Sequence, residues 1–429
     1  MQKGTKRLNK GFDVLSMLQS FFLLIYCLEL VLPVVTSFGG SNYISFICFV
    51  FWLGIAVIRD PKFINNLPFS YVILLAVYVL TSVLPCLYGH IDIAHGHISF
   101  TAVFGGPFIY KYYDDSGELK TLGKILMVMI AVSFITAFTT LIGLIRNPWA
   151  SRLINGNAAS DVLLYRQNIG GYHFVYYFTG LSLVFLFLAF AEKRKLHRFF
   201  YALCFCFSSF TVAKTGFMTA LLAMLIGAIY LVLSFCFNGK NMGLKIIAAI
   251  GVISCLAMFA GELIPLLPER IARVFASGES SAFKSLLNEF LGDRWPVMMS
   301  SIQGFFQHPL LGILSGGDSY FGGSFYQGFG QHSFFLDTLA LYGLPIGLAT
   351  VVCLISATRH QRKKGTAKKL GKALSIYMIV MFLFNVATNS IGFVIFVVGP
   401  YVQTIISKEE SHEIAYAYRK VPVQLRKTH

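Results

Sequence analysis

A chain of 429 residues that is 56% hydrophobic and only 13% charged is not the composition of a soluble globule. Its apolar residues recur in runs of about 20, the length that crosses a bilayer as a helix. The formal charge of +16 is accounted for by the excess of Lys and Arg that membrane proteins keep on the cytoplasmic side, so nucleic acid is not an expected partner.

The apolar runs predict an all-α, polytopic integral membrane protein with a single membrane domain over 1–429. Twelve transmembrane helices are expected at about 15–37, 42–58, 68–87, 96–111, 123–145, 172–191, 199–213, 216–237, 244–263, 333–356, 373–389 and 391–407. The first run is long enough to span and carries no clear small-residue cleavage site, so it reads as a retained anchor. With both termini cytoplasmic, 27 of the 35 Lys and Arg fall inside, including seven between Arg359 and Lys372, and 8 fall outside. The cysteines all lie in apolar runs without metal-type spacing and predict no disulfide framework.

Two outer connections are long, 146–171 and a large external loop over 264–332. A stretch as long as the second needs structure of its own. Amphipathic helices are expected in it at 268–275 and 281–306, the latter with Trp295, Met298, Met299 and Ile302 on one face. The glycines between Gly312 and Gly330 predict an irregular, close-packed turn region.

Polar chemistry concentrates in and just after this loop: Arg294-Trp295, then His308-Pro309-Leu310-Leu311-Gly312, then Gly330-Gln331-His332-Ser333-Phe334-Phe335-Leu336, then Tyr342-Gly343-Leu344-Pro345-Ile346-Gly347. Arg294 can bind a phosphate bidentately, or instead pair with adjacent Asp293. His332 can accept a proton or orient a hydroxyl, or instead cap the helix it begins. His308 sits in a turn-like segment that reads mainly as architecture. Lys214 stands between two apolar runs with almost no loop, where a snorkelling side chain is the plain alternative to a phosphate contact. Arg146, Arg152 and Arg166 could widen an anionic site, against simple solvation. His90, Asp92, His95 and His97 match no strong metal signature and read as an interfacial polar turn, so no metal is expected. The outer carboxylates form no paired-acid motif, and the glycines contain no phosphate-loop lysine, so neither glycosidase chemistry nor nucleotide binding is supported.

The order of these segments resembles the diagnostic region of the O-antigen polymerase and O-antigen ligase superfamily. The likeness covers Arg294 to Gly347, with weaker agreement in the polytopic layout and around Lys214. The resemblance implies an enzyme of the bacterial cytoplasmic (inner) membrane with its active site on the outer face. It would join undecaprenyl-diphosphate-linked oligosaccharides by attack of an acceptor sugar hydroxyl on the donor C1, with no cofactor or metal. In that reading Arg294 and His332 are catalytic, and Lys214, Arg166 and His308 bind substrate. The family commonly has Arg after Ser near the Lys214 position, whereas this chain has Val212-Ala213-Lys214-Thr215-Gly216. That keeps the charge and puts bidentate geometry in doubt. A glycan polymerase is the first expectation and an O-antigen ligase the alternative. Membrane lipid, a flippase and a chain-length regulator are the expected partners. A polytopic transporter or lipid-linked oligosaccharide flippase is the reading from a different class. It would be favoured by ionisable groups within the spans, of which Glu29 is the main candidate, with Asp337 nearer the outer mouth.

Overall fold

The computed structural model describes residues 13–36, 41–89, 101–154, 159–236, 294–316, 333–385 and 388–420. Every regular element among them is helical. That is the expected outcome where no water is available to backbone N–H and C=O groups, because a helix satisfies them within one segment.

In chain order the helices are α1 (Val14–Val31), α2 (Ser41–Arg59), α3 (Phe69–Leu87), α4 (Thr101–Asp115), α5 (Leu119–Arg146), α6 (Ala159–Arg166) and α7 (Tyr172–Ala191). They continue with α8 (Lys195–Thr215), α9 (Met218–Cys236), α10 (Trp295–Gln307), α11 (Phe334–His360) and α12 (Ala367–Phe384). A last segment runs through α13 (Asn389–Phe393), a π-helical turn (Val394–Val398) and α14 (Gly399–Lys420).

Among the described residues, eight helices are long and apolar enough to cross a membrane: α1, α3, α5, α7, α8, α9, α11 and the segment Asn389–Ser411. Parts of three more expected spans are also helical: α2 covers 42–58, α4 covers 101–111 and α12 covers 373–384. The described part of α4 begins at Thr101. It is enclosed by its neighbours, with Phe104, Phe108 and Tyr113 each 1% exposed. The first two turns of α12 carry Lys368, Lys369 and Lys372. The expected span at 244–263, most of the 264–332 loop, and His90, Asp92, His95 and His97 lie outside the described residues.

The centre of the bundle is α7, apolar all round and 78% buried, as a helix surrounded by others must be. It packs on α8, α9, α12 and α13. Hydroxyls in this interior donate to the carbonyl one turn back, as Ser133 does to Met129, Thr179 to Val175 and Ser182 to Phe178. That is how a buried Ser or Thr is satisfied without a partner helix.

One end of the bundle is tied by charge. Arg59, at the end of α2, donates to Glu118 at 2.7 Å, to Gln19 at 2.6 Å and to the Tyr112 hydroxyl at 2.9 Å, and pairs with Asp13 at 3.1 Å. One guanidinium thus joins α1, α2, α4 and the start of α5. Lys363 adds an ion pair with Asp114 at 3.2 Å.

Candidate functional site

The opposite end gathers the starts of α7, α9, α10 and α11 and the end of α12. Arg294 is the N-cap residue of α10, and Pro296 follows in the first turn, where a fixed φ and a missing N–H suit a helix start. The half-buried Arg294 reaches back across the bundle. Its Nη1 donates to the Thr219 hydroxyl near the start of α9 and, at 2.8 Å, to the carbonyl of Phe384 at the end of α12. These two bonds orient the guanidinium from α9 and α12.

Tyr176, near the start of α7, lies within electrostatic reach of both Arg294 and Arg152. Its hydroxyl accepts a hydrogen bond from Asn385 Nδ2 at 2.7 Å. The Asn385 carbonyl in turn accepts from the Phe334 N–H at 2.9 Å, fixing the end of α12 to the start of α11. Aromatic rings close round the group: Tyr176 meets Phe217 edge-on at 5.9 Å and Tyr172 at 6.1 Å, and Tyr172 lies 4.0 Å from the His173 ring.

The position of Arg294 depends on how α10 is fixed to α11. Ser301 of α10 donates to Asp337 of α11 at 2.6 Å, and the Ser333 N–H donates to the same carboxylate at 3.2 Å. Ser333 also caps α11 by accepting from the Leu336 N–H. Beyond α10, the turn at 308–312 docks into a break in α11. The Gly312 N–H donates to the His308 carbonyl at 2.9 Å, and the Leu344 N–H donates to the Pro309 carbonyl at 2.8 Å. Gly343 has φ +75 and Gly312 φ +76. A Cβ on Gly343 would overlap the Leu310 carbonyl, and one on Gly312 the Leu341 carbonyl, so both positions require glycine. Tyr342 completes the fastening by donating to the Thr81 carbonyl of α3 at 2.9 Å.

Of the residues singled out in the sequence, Arg294 lies at the centre of this group. Lys214 is half-buried in the last turn of α8, with its ammonium 5.8 Å from the Phe210 ring centroid. Gly216, in the left-handed conformation at φ +69, turns the chain directly into α9. That turn brings Lys214 to the same end as Phe217, which packs on Tyr176. His308 is half-buried, and its carbonyl closes the turn that docks on α11. Arg166 is exposed at the end of α6, which packs on the one-turn helix Pro33–Thr36, and it takes no part in the hydrogen bonds around Arg294. His332 lies outside the described residues.

Thr219, Tyr176, Asn385 and His173 were not legible as site residues. Each is a single polar group in an apolar helix or at its end. The signal available was positional, since all four fall at span ends expected on one face. Together the group offers an oriented cation, a phenol and an amide beside the mouth of the bundle, a set able to receive an anionic or hydroxyl-rich ligand. In comparison with known proteins, the chain matches no protein-family model and no curated protein.

Proposed function

We propose that this chain is a membrane glycan polymerase that joins undecaprenyl-diphosphate-linked repeat units into an O-antigen, capsular or exopolysaccharide. The observation that carries the reading is the convergence on Arg294. A cation from a distant part of the chain is held by Thr219 and Phe384 where five helix ends meet. A diphosphate leaving group needs such a preoriented donor, because negative charge grows on it as the C1–O bond breaks. The acceptor hydroxyl oxygen forms the new bond to C1, the bonding electrons depart with the diphosphate, and the hydroxyl proton passes to a base, the role given to His332. Lys214 and Arg166 assist on the phosphates, and His308 borders the substrate.

The fuller form of this reading has twelve spans, a 264–332 loop on the outer face, both termini cytoplasmic and residence in a bacterial cytoplasmic membrane. A flippase supplies the donor, and a chain-length regulator sets product size. An O-antigen ligase would use the same groups with a different acceptor. Loss of the gene separates the two: single repeat units left on core indicate a polymerase, and full-length polymer left on its lipid indicates a ligase.

The direct test is Arg294→Ala in purified protein given a defined lipid-linked repeat unit. Transfer should fall by about 10²- to 10³-fold at equal membrane abundance. A wild-type rate would remove Arg294 from the mechanism.

One observation favours the transporter reading: Glu29 of α1 accepts a hydrogen bond from Ser45 of α2 within the bundle, and carboxyl groups so placed often serve ion coupling. Under the polymerase reading, Glu29→Gln leaves elongation of a donor supplied on the active side unchanged.

A further inference from the structure

At the end of the bundle away from Arg294, the start of α12 and the end of α9 border an open cavity of about 490 Å³. That is within the range of small-molecule sites, roughly 300–1,000 Å³, and far larger than a single water. Its walls are Lys368, Lys369 and Lys372 from α12 and Tyr230, Leu233 and Ser234 from α9. The three lysines fall at i, i+1 and i+4, so Lys368 and Lys372 stack on one side and Lys369 stands beside them. Lys369 is held in place by its ammonium, 3.8 Å from the Phe235 ring centroid. Phe235 in turn stacks on Phe190 at 5.1 Å.

The three ammonium groups share one wall of the cavity. Like charges one turn apart repel, and the N-terminal end of a helix carries partial positive charge, which disfavours cations in its first turns. Glu410 contributes one carboxylate at the rim, where it accepts from the Thr366 N–H at 3.3 Å. The cost of the cluster is recovered when an anion enters. The Ser234 hydroxyl donates to the Leu231 carbonyl, and its oxygen can still accept. The charge distribution assigns this end to the cytoplasmic face, where anionic lipid headgroups are abundant. On the α9 side the wall is apolar, with Ile229 and Leu233 exposed, a surface suited to an acyl chain.

We infer that this cavity is a binding site for the phosphate of an anionic phospholipid of the inner leaflet, with the phosphate among Lys368, Lys369 and Lys372 and an acyl chain along the exposed face of α9. The site is remote from the Arg294 group, and the inference stands whether or not the chain transfers glycans.

The experiment uses the full chain, purified in detergent and examined by native mass spectrometry with phosphatidylglycerol or phosphatidylcholine added. Wild-type protein should retain phosphatidylglycerol in preference to phosphatidylcholine. The double variant Lys368→Gln/Lys372→Gln should bind it about 100-fold more weakly, about tenfold for each charged hydrogen bond removed. Both of these side chains are exposed, so the variant keeps the fold. Adding Lys369→Gln should abolish the preference. The control is Lys120→Gln/Lys124→Gln, exposed lysines of the same spacing at the start of α5; it should leave affinity within about twofold, as expected for diffuse surface charge. Unchanged binding in the α12 double variant overturns the assignment. So does an equal loss in the control, which would make the attraction nonspecific. If inorganic phosphate in millimolar amounts displaces the lipid and binds by itself, the cavity serves a soluble phosphate and the lipid assignment is wrong.

Discussion

Two arginines, at opposite ends of the bundle, show what a buried cation can be used for. Arg59 pairs with two carboxylates, Glu118 and Asp13, and also bonds Gln19 and Tyr112. Its charge is offset on the spot and its effect is to hold four helices together. Arg294 bonds the hydroxyl of Thr219 and the carbonyl of Phe384. Those bonds fix its direction from two helices, and the guanidinium stands within electrostatic reach of Tyr176. One arginine ties helices together at the charged end of the bundle, whereas the other is presented where helix ends converge.

This contrast is broken most directly by exchanging the two defects. Arg294→Ala should abolish transfer while thermal unfolding in detergent changes little. Arg59→Ala should do the reverse, because it strands carboxylates beside a side chain only 14% exposed. The expected loss is about 1–2 kcal/mol of stability, read as a lowered unfolding midpoint, with turnover per folded molecule retained. If Arg59→Ala unfolds no earlier than wild type, the ion-pair cluster is not a fastener.

A smaller effect on transfer is expected at the joint between α10 and α11. Gly343→Ala forces a Cβ into the left-handed region and against the Leu310 carbonyl, at a cost of about 2 kcal/mol. Because this joint carries α10, transfer should fall along with stability. Equal activity per folded molecule would show that Arg294 does not depend on it.

The smallest and most specific change is Thr219→Val. It keeps shape and removes one hydroxyl from the cradle, and should slow transfer about tenfold, with Thr219→Ser restoring the rate. If Val and Ser variants behave alike, the bond to Thr219 is incidental.

The helices were legible because apolar runs of spanning length have few alternatives, and α1, α5, α7 and α11 fall close to where the runs predict them. The abrupt turn between α8 and α9 was also marked, by Lys214-Thr215-Gly216. The burial of α4 was not, since a sequence run cannot say that a helix will pack against Tyr71, Trp52 and Phe396. Of the candidate site, Arg294 stood out because a cation among apolar residues is rare. Tyr176, Thr219 and Asn385 did not, because their importance arises from convergence over long separations in the chain, 75 residues from Thr219 to Arg294 and 209 from Tyr176 to Asn385. The motifs at 308–312 and 342–347 are conspicuous in the sequence, where His308 reads mainly as architecture. They dock on each other, backbone to backbone, and His308 contributes its carbonyl to that joint.

The joint between those two motifs has a consequence for which substitutions the chain can accept. Its bonds run from N–H to carbonyl, and its close approach rests on Gly312 and Gly343, so it reads no side chain at the positions between. Leu310 and Leu311 stand 68% and 71% exposed on its outer surface. They are therefore open to wide replacement, polar or apolar, without moving α10. A saturation library at 310, 311, 312 and 343 should show this as two intolerant glycines beside a permissive pair, a surface on which new specificity can be written while the cation stays in place.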